Sequence, residues 1–148
     1  MRVTEMIDMQ SAAVAKRETR APAPAFGAED VSVLNKLRLL AARARCASKI
    51  DAFGVCSLLN ADPTAAAAGY AEALLRLAAQ GLGHAPIVYH PGTDEVSRDE
   101  AVLLRLIASA RDGDEDSLRF LAGRLLAREA ARPMIFLCRN LAERLETF

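Results

Sequence analysis

The chain has 148 residues, with 19 basic and 19 acidic side chains and a formal net charge of zero. A chain of this length is typical of one domain and can bury a hydrophobic core without disulfides or structural metals. Its three cysteines are odd in number and form no C-x-x-C pair, which argues against a disulfide framework or a zinc ribbon. The sequence has no secretory signal pattern and no run of about 18 apolar residues. We therefore expect a cytoplasmic protein that has no membrane partner.

Residues 1–28 are predicted to form an extended N-terminal arm, and residues 29–148 a single helical domain. The second half of the arm lacks a sustained apolar stripe and contains helix-breaking residues, as is typical of a linker. These residues are Pro22, Pro24 and Gly27. Near its start the arm has one apolar turn, too short to be a stable helix on its own in water. The turn consists of Val3, Met6 and Ile7. A groove of the domain, a partner subunit or open solvent are the alternatives for its position.

The first helix of the domain is predicted to begin at Asp30, a favourable N-cap residue. Apolar residues then recur at helical spacing along one face. They are Val33, Leu34, Leu37, Leu40, Ala41 and Ala44. The sequence leaves open whether residues 30–59 form one long helix or two.

Proline and glycine residues predict the limits of the next helix and of the last one. Pro63 fits the first position of a helix, where its missing N–H is not needed, and Gly81 is predicted to end that helix in a left-handed conformation. An irregular loop over residues 81–96 follows. The last helix is predicted to start at Pro133, because proline is unfavourable in a helix interior.

Capping residues predict the two helices between these. Ser97 and Glu100 form a capping box, in which each side chain bonds the backbone of the other residue. The sequence Asp112-Gly113-Asp114 is predicted to end that helix and to cap the next one. Strand-forming residues are sparse in the whole chain. The predicted fold is therefore all-α, a compact bundle of five or six helices.

The irregular loop contains both histidines of the chain, His84 and His90, which suggests a small-molecule or metal-binding site or an enzyme. Tyr89 lies between them. Cys46 is a further candidate, because the nearby arginines favour its reactive thiolate. The spacing of the two histidines matches no recurrent zinc pattern, so we expect no metal and no cofactor. No catalytic residue can be assigned, and an enzyme is the less favoured interpretation.

Charge is segregated along the chain. Residues 31–50 contain five basic residues and no acid, and residues 94–116 contain eight acids against three arginines. The basic residues are Lys36, Arg38, Arg43, Arg45 and Lys49. Such blocks can steer association, pair inside the fold or pair between copies. A nucleic-acid-binding regulator using this basic helix is a less favoured alternative, because no recognition motif accompanies the patch.

Phe120 and Phe136 lie off the apolar stripes of their helices, which suggests a second contact surface. Self-association is the commonest use of such a surface, and the alternative is a bundle that packs these helices on two sides. The leading hypothesis is a non-enzymatic interaction or regulatory module that forms a homo-oligomer and binds a protein partner. The two phenylalanines and the five basic residues are its candidate surface.

Overall fold

The computed structural model describes residues 26–46 and 63–147, and this part of the chain contains five helices and no strand. They are α1 (Ala28–Cys46), α2 (Pro63–Leu82), α3 (Arg98–Arg111), α4 (Glu115–Leu125) and α5 (Arg128–Thr147). The prediction of an all-α bundle is confirmed. The arm before residue 26, and the question of one helix or two between residues 30 and 59, lie wholly or partly outside the described residues.

The core forms where α5 packs against α2, α3 and α4 while α1 covers α2 and α3. The predicted apolar stripes supply it, because residues three and four apart share a helix face. Its fully buried large side chains are Leu37, Leu40, Leu74, Leu103, Leu106, Ile107, Leu118, Met134, Leu141 and Leu145. Cys138 is also buried there, and burial raises the pKa of its thiol to about 12. None of the helices within the described ranges is long and apolar enough to cross a membrane.

The start of α1 differs from the prediction. The helix begins at Ala28, two residues before the predicted N-cap Asp30. The Asp30 carboxylate instead accepts a bond from the backbone N–H of Gly27 (3.3 Å), while the Gly27 carbonyl accepts from Val31 (3.1 Å). Asp30 therefore stabilises the start of the helix from its third position, as the second half of a capping box does.

The end of α2 also differs, because Gly81 lies inside the helix and Gly83 has the left-handed conformation (φ 77°). The loop therefore begins at residue 83 rather than 81. Gly81 serves packing instead: a Cβ atom there would lie 2.3 Å from the carbonyl oxygen of Leu125 and 2.8 Å from the side chain of Leu126. Only glycine lets the last turn of α2 approach the end of α4 so closely.

The capping predictions for α3 and α4 are confirmed. Both bonds of the box between Ser97 and Glu100 are present, and the Asp114 side chain accepts from the Ser117 N–H at the start of α4. Gly113 has a left-handed φ of 71° in the turn between the helices.

The predicted start of the last helix at Pro133 is wrong, because α5 begins at Arg128. Pro133 is the sixth helical residue and cannot donate a hydrogen bond to the carbonyl of Glu129. Both residues are exposed, so water can hydrate that carbonyl and reduce the cost of the proline.

Candidate functional site

Arg38 and Glu100 form a buried ion pair that holds the loop of residues 83–97. Their side chains are only 1% and 0% exposed, and the guanidinium binds the carboxylate through two bonds, Nε to Oε1 (2.7 Å) and Nη2 to Oε2 (3.0 Å). The same guanidinium donates to the loop carbonyls of Thr93 (2.7 Å) and Glu95 (2.6 Å). A planar guanidinium suits this role, because its fixed fork of donors can serve several acceptors at once.

Each carboxylate oxygen of Glu100 accepts two hydrogen bonds. Besides the bonds from Arg38, Oε1 accepts the N–H of Tyr89 and Oε2 accepts the N–H of Ser97, each at 2.9 Å. In the described part of the chain, no buried side-chain nitrogen or oxygen lacks a hydrogen-bond partner. A carboxylate and guanidinium so fully engaged have no capacity left for a substrate, and the pair therefore has a structural role.

Two further side chains fix the same loop. The Asp99 carboxylate accepts the backbone N–H of Ile87 (2.9 Å), and the amide oxygen of Asn35 accepts the N–H of Gly92 (3.0 Å). The loop is thus anchored to the first turn of α3 on one side and to the middle of α1 on the other. We call this set of bonds the loop anchor: Asn35, Arg38, Asp99 and Glu100.

The sequence interpretation of Arg38 as part of an exposed interaction surface is wrong. Arg38 is buried and pairs inside the fold. Its helical spacing carried the signal, because Arg38 follows Leu34 by four residues and precedes Ala41 by three, which puts it in the buried stripe. The acidic partner, 62 residues away, could not be read from that spacing.

The residues proposed for ligand binding are spread over the loop and the end of α1. The side chain of His84 is 53% exposed, His90 and Cys46 are exposed, and Tyr89 is half-buried. The Nδ1 atom of His84 lies 2.9 Å from the carbonyl oxygen of Ala85 and 3.7 Å from the carboxylate of Asp99. Within residues 26–46 and 63–147, no three His, Cys, Asp or Glu side chains are placed to hold a metal ion.

An apolar groove of about 380 Å³ lies beside this loop, between α1, α2 and residues 85–88. Its lining residues are Ala41, Ala44, Arg45, Glu72, Leu75, Arg76, Ala79, Ala85, Pro86 and Val88. His84, Tyr89, His90 and Cys46 are not among them. The structure therefore does not bring the four candidates together around this groove.

The basic residues of α1 have different environments. Lys36 donates from Nζ to the carbonyl oxygen of Leu145 in the last turn of α5 (2.7 Å), a favourable position for a cation at the negative end of a helix. Arg43 and Arg45 are exposed, and Lys49 lies outside the described residues. With Arg38 buried and Lys36 bound to α5, the basic face is smaller than the sequence suggested.

A second, larger groove of about 510 Å³ lies between the start of α1, the second half of α3 and α4. We call it the Phe120 groove, because Phe120 forms part of its wall and is 66% exposed, the most exposed large hydrophobic residue described. Its other lining residues are Phe26, Asp30, Leu104, Arg105, Ala108, Ser109, Asp112, Asp114, Ser117 and Leu121. No motif in the sequence indicated this groove.

Acidic side chains predominate around the Phe120 groove. Asp30 and Asp112 are bridged by Arg111, at 3.3 and 3.1 Å, and the bond to Asp112 is the main cause of a raised pKa for Arg111. Hydrogen bonds from Ser117 lower the pKa of Asp114, because they stabilise the charged form of its carboxylate. The groove combines an apolar wall with a negatively charged rim.

Phe136 is also exposed (56%) but has different neighbours from Phe120. Its ring packs edge-on against Tyr70 of α2, with 6.2 Å between the ring centroids. The guanidinium of Arg144 lies 4.5 Å from the centroid of the same tyrosine, in a cation–π arrangement. Phe136 is thus partly engaged within the fold, and it does not line the Phe120 groove.

No protein family model matches this chain, and no curated protein and no solved structure matches it either. The geometry of the described residues is therefore the basis for proposing a function.

Proposed function

We propose that this protein is a non-enzymatic interaction module that self-associates through the Phe120 groove. The observation that supports the proposal is the exposure of Phe120 on the wall of an open groove. An exposed phenylalanine beside a concave surface is typical of an interaction site. The same surface would receive a protein partner in a regulatory role.

The Phe120 groove is suited to a symmetric pair. In a two-fold dimer the same patch of both copies meets, so each Phe120 can enter the groove of the other copy. Burying the exposed two-thirds of a phenylalanine yields about 3 kcal/mol at about 25 cal/mol per Å². Two such contacts contribute a free energy of about 6 kcal/mol. This value is only slightly above the lower limit of the free-energy cost of association, which is roughly 4–15 kcal/mol. The two phenylalanines alone therefore leave a net gain of only about 2 kcal/mol. Contacts between the rest of the two facing groove walls must add about 1.5–4 kcal/mol to give the weak dimers that we expect, with dissociation constants between about 10 μM and 1 mM.

Light scattering or sedimentation over this concentration range tests the proposal, with circular dichroism to check folding. The mass of the wild-type protein should rise with concentration, and Phe120→Asp should keep the protein monomeric. Phe136→Asp is the matched control, because it places the same charge at another phenylalanine that is more than half exposed and lies outside the groove. A wild-type protein that stays monomeric, or an association lost with Phe136→Asp and retained with Phe120→Asp, would refute the proposal.

The alternative of a ligand or metal site at His84 and His90 has less support, since the two imidazoles share no described groove. Elemental analysis and a thermal-shift screen test it. A bound metal, or a stabilising ligand whose effect disappears in the His84→Ala, His90→Ala double variant, would favour this alternative.

The nucleic-acid alternative depends mainly on Arg43 and Arg45, the exposed basic residues of α1 in the described range. Mobility shifts at two salt concentrations test it, because phosphate contacts weaken steeply with salt. A shift that is strong in low salt and lost with Arg43→Ala, Arg45→Ala would favour a nucleic-acid partner.

A further inference from the structure

We infer that the Phe120 groove binds the N-terminal segment of the same chain, residues 1–25, which thereby competes with self-association. The inference rests on the proposed function in that it concerns the same groove. Three observations support it: the place where the segment joins the described fold, its apolar turn, and its charge.

The segment joins the fold at the groove itself. Phe26, the residue that follows it, is half-buried and lines the groove. Gly27 is fixed next to it by the bond to Asp30, another lining residue. The first described residue thus already lines the Phe120 groove, so the segment before it needs no long connection to reach the groove.

The apolar turn of Val3, Met6 and Ile7 is the part suited to the apolar wall around Phe120. Eighteen residues, 8–25, separate this turn from Phe26. A flexible chain of that length spans about 20–25 Å on average. This distance is sufficient to reach across a groove formed by three adjacent helices. Binding of an amphipathic helical segment in an apolar groove is also a common mode of recognition.

Charge complementarity is confined to the half of the segment nearest the fold, because around the apolar turn Glu5 and Asp8 outnumber Arg2. The half of the segment nearest the fold carries Lys16, Arg17 and Arg20 against the single acid Glu18. The groove presents Asp30, Asp112 and Asp114 against the single base Arg105, and it remains negative when Arg111 is counted. Opposite charges favour and orient this contact.

Covalent connection favours the segment of the same chain over that of a second copy. A short flexible linker gives its ligand an effective concentration in the millimolar range. A second copy must reach a similar concentration to compete for Phe120. If the segment occupies about nine-tenths of the grooves, its release strengthens self-association roughly a hundredfold, because the symmetric dimer requires the rare free state of both copies.

Fluorescence of the full chain tests this occupancy in dilute solution, where self-association is absent. The sequence has no tryptophan, so Phe120→Trp introduces a single reporter on the groove wall. The test variant adds Val3→Ser, Met6→Ser and Ile7→Ser to the reporter chain. A matched control adds Ala12→Ser, Ala13→Ser and Ala15→Ser, which place the same hydroxyl groups outside the apolar turn, and both variants keep the charge of the segment.

We expect the test variant to shift the emission to longer wavelength and to increase acrylamide quenching, whereas the control leaves both unchanged. Identical spectra for all three chains would overturn the inference. In the background without Phe120→Trp, the test variant should dimerise at a roughly hundredfold lower concentration than the wild type.

The two proposals fail in different ways. If the spectra do not differ while Phe120→Asp still abolishes a concentration-dependent mass, the docking of residues 1–25 is wrong and the proposed function stands. If the spectra differ while every chain stays monomeric, the docking stands and self-association is wrong. Should the test variant lose dimerisation, the segment binds between copies and the inference of docking within one chain is overturned.

Discussion

Replacing Arg38 with methionine should strongly destabilise the fold, because it removes the centre of the loop anchor. The substitution keeps an apolar stem of similar length but takes away both bonds to Glu100 and the bonds to the carbonyls of Thr93 and Glu95. Glu100 would remain fully buried with its charge opposed only by the two backbone N–H groups it binds.

The expected cost follows from this geometry. Removing one partner of a buried ion pair costs about 3–5 kcal/mol, since the remaining charge stays desolvated. The free energy of unfolding of a whole domain is only about 5–15 kcal/mol. Arg38→Met should therefore remove a large fraction of the stability. Arg38→Met and Glu100→Gln remove the same ion pair. The loss in free energy of unfolding of the double variant should therefore be smaller than the sum of the two single losses by about 0.5–3 kcal/mol.

Urea unfolding followed by circular dichroism measures these differences, and hydrogen exchange reports on the loop. Arg45→Met is the matched control on the same helix, because its guanidinium is exposed and its loss should change stability by about 0.5 kcal/mol or less. A cost below about 1 kcal/mol for Arg38→Met, with unchanged exchange at residues 87–97, would refute the role of the loop anchor.

Two further predictions concern close packing and thiol burial. Gly81→Ala should lower the free energy of unfolding by about 1–3 kcal/mol, because its Cβ would overlap the carbonyl of Leu125. Gly123→Ala, at a helix position with open space around it, should raise the free energy of unfolding by about 0.5–1 kcal/mol. Equal effects of the two variants in thermal unfolding would contradict the close approach at Gly81. Alkylation of the native protein should modify the exposed Cys46 and leave Cys138 unmodified until the protein unfolds, because burial keeps the Cys138 thiol protonated. Peptide mass spectrometry identifies the modified cysteines, and rapid alkylation of Cys138 would contradict its burial.

The helices could be predicted from the sequence where the apolar stripe and the capping residues agreed. The box of Ser97 and Glu100 and the turn at Gly113 are local patterns, and the structure has both. The helix boundaries predicted at Gly81 and Pro133 are wrong, because local residue preference alone does not determine where a helix begins or ends. Tertiary packing decides the role of Gly81, and solvent exposure makes Pro133 tolerable inside α5.

The candidate site was less predictable, because its contacts join distant parts of the chain. The sequence interpretation placed Arg38 on the surface although its helical spacing fits the buried stripe, and nothing local pointed to Glu100 as its partner. The exposure of Phe120 followed from its off-stripe position, whereas the groove beside it requires the start of α1 to pack near α3 and α4. A single sequence does not specify that arrangement.

Amide chemical shifts recorded by NMR between about 10 μM and 1 mM protein test the central claim, self-association through the Phe120 groove, most directly. The account predicts concentration-dependent shifts in the groove-lining parts of α3 and α4, residues 104–121, and none around Tyr70 and Phe136. Phe120→Asp should abolish these shifts. Spectra that do not change with concentration, or changes confined to the Tyr70 and Phe136 side, would contradict the account.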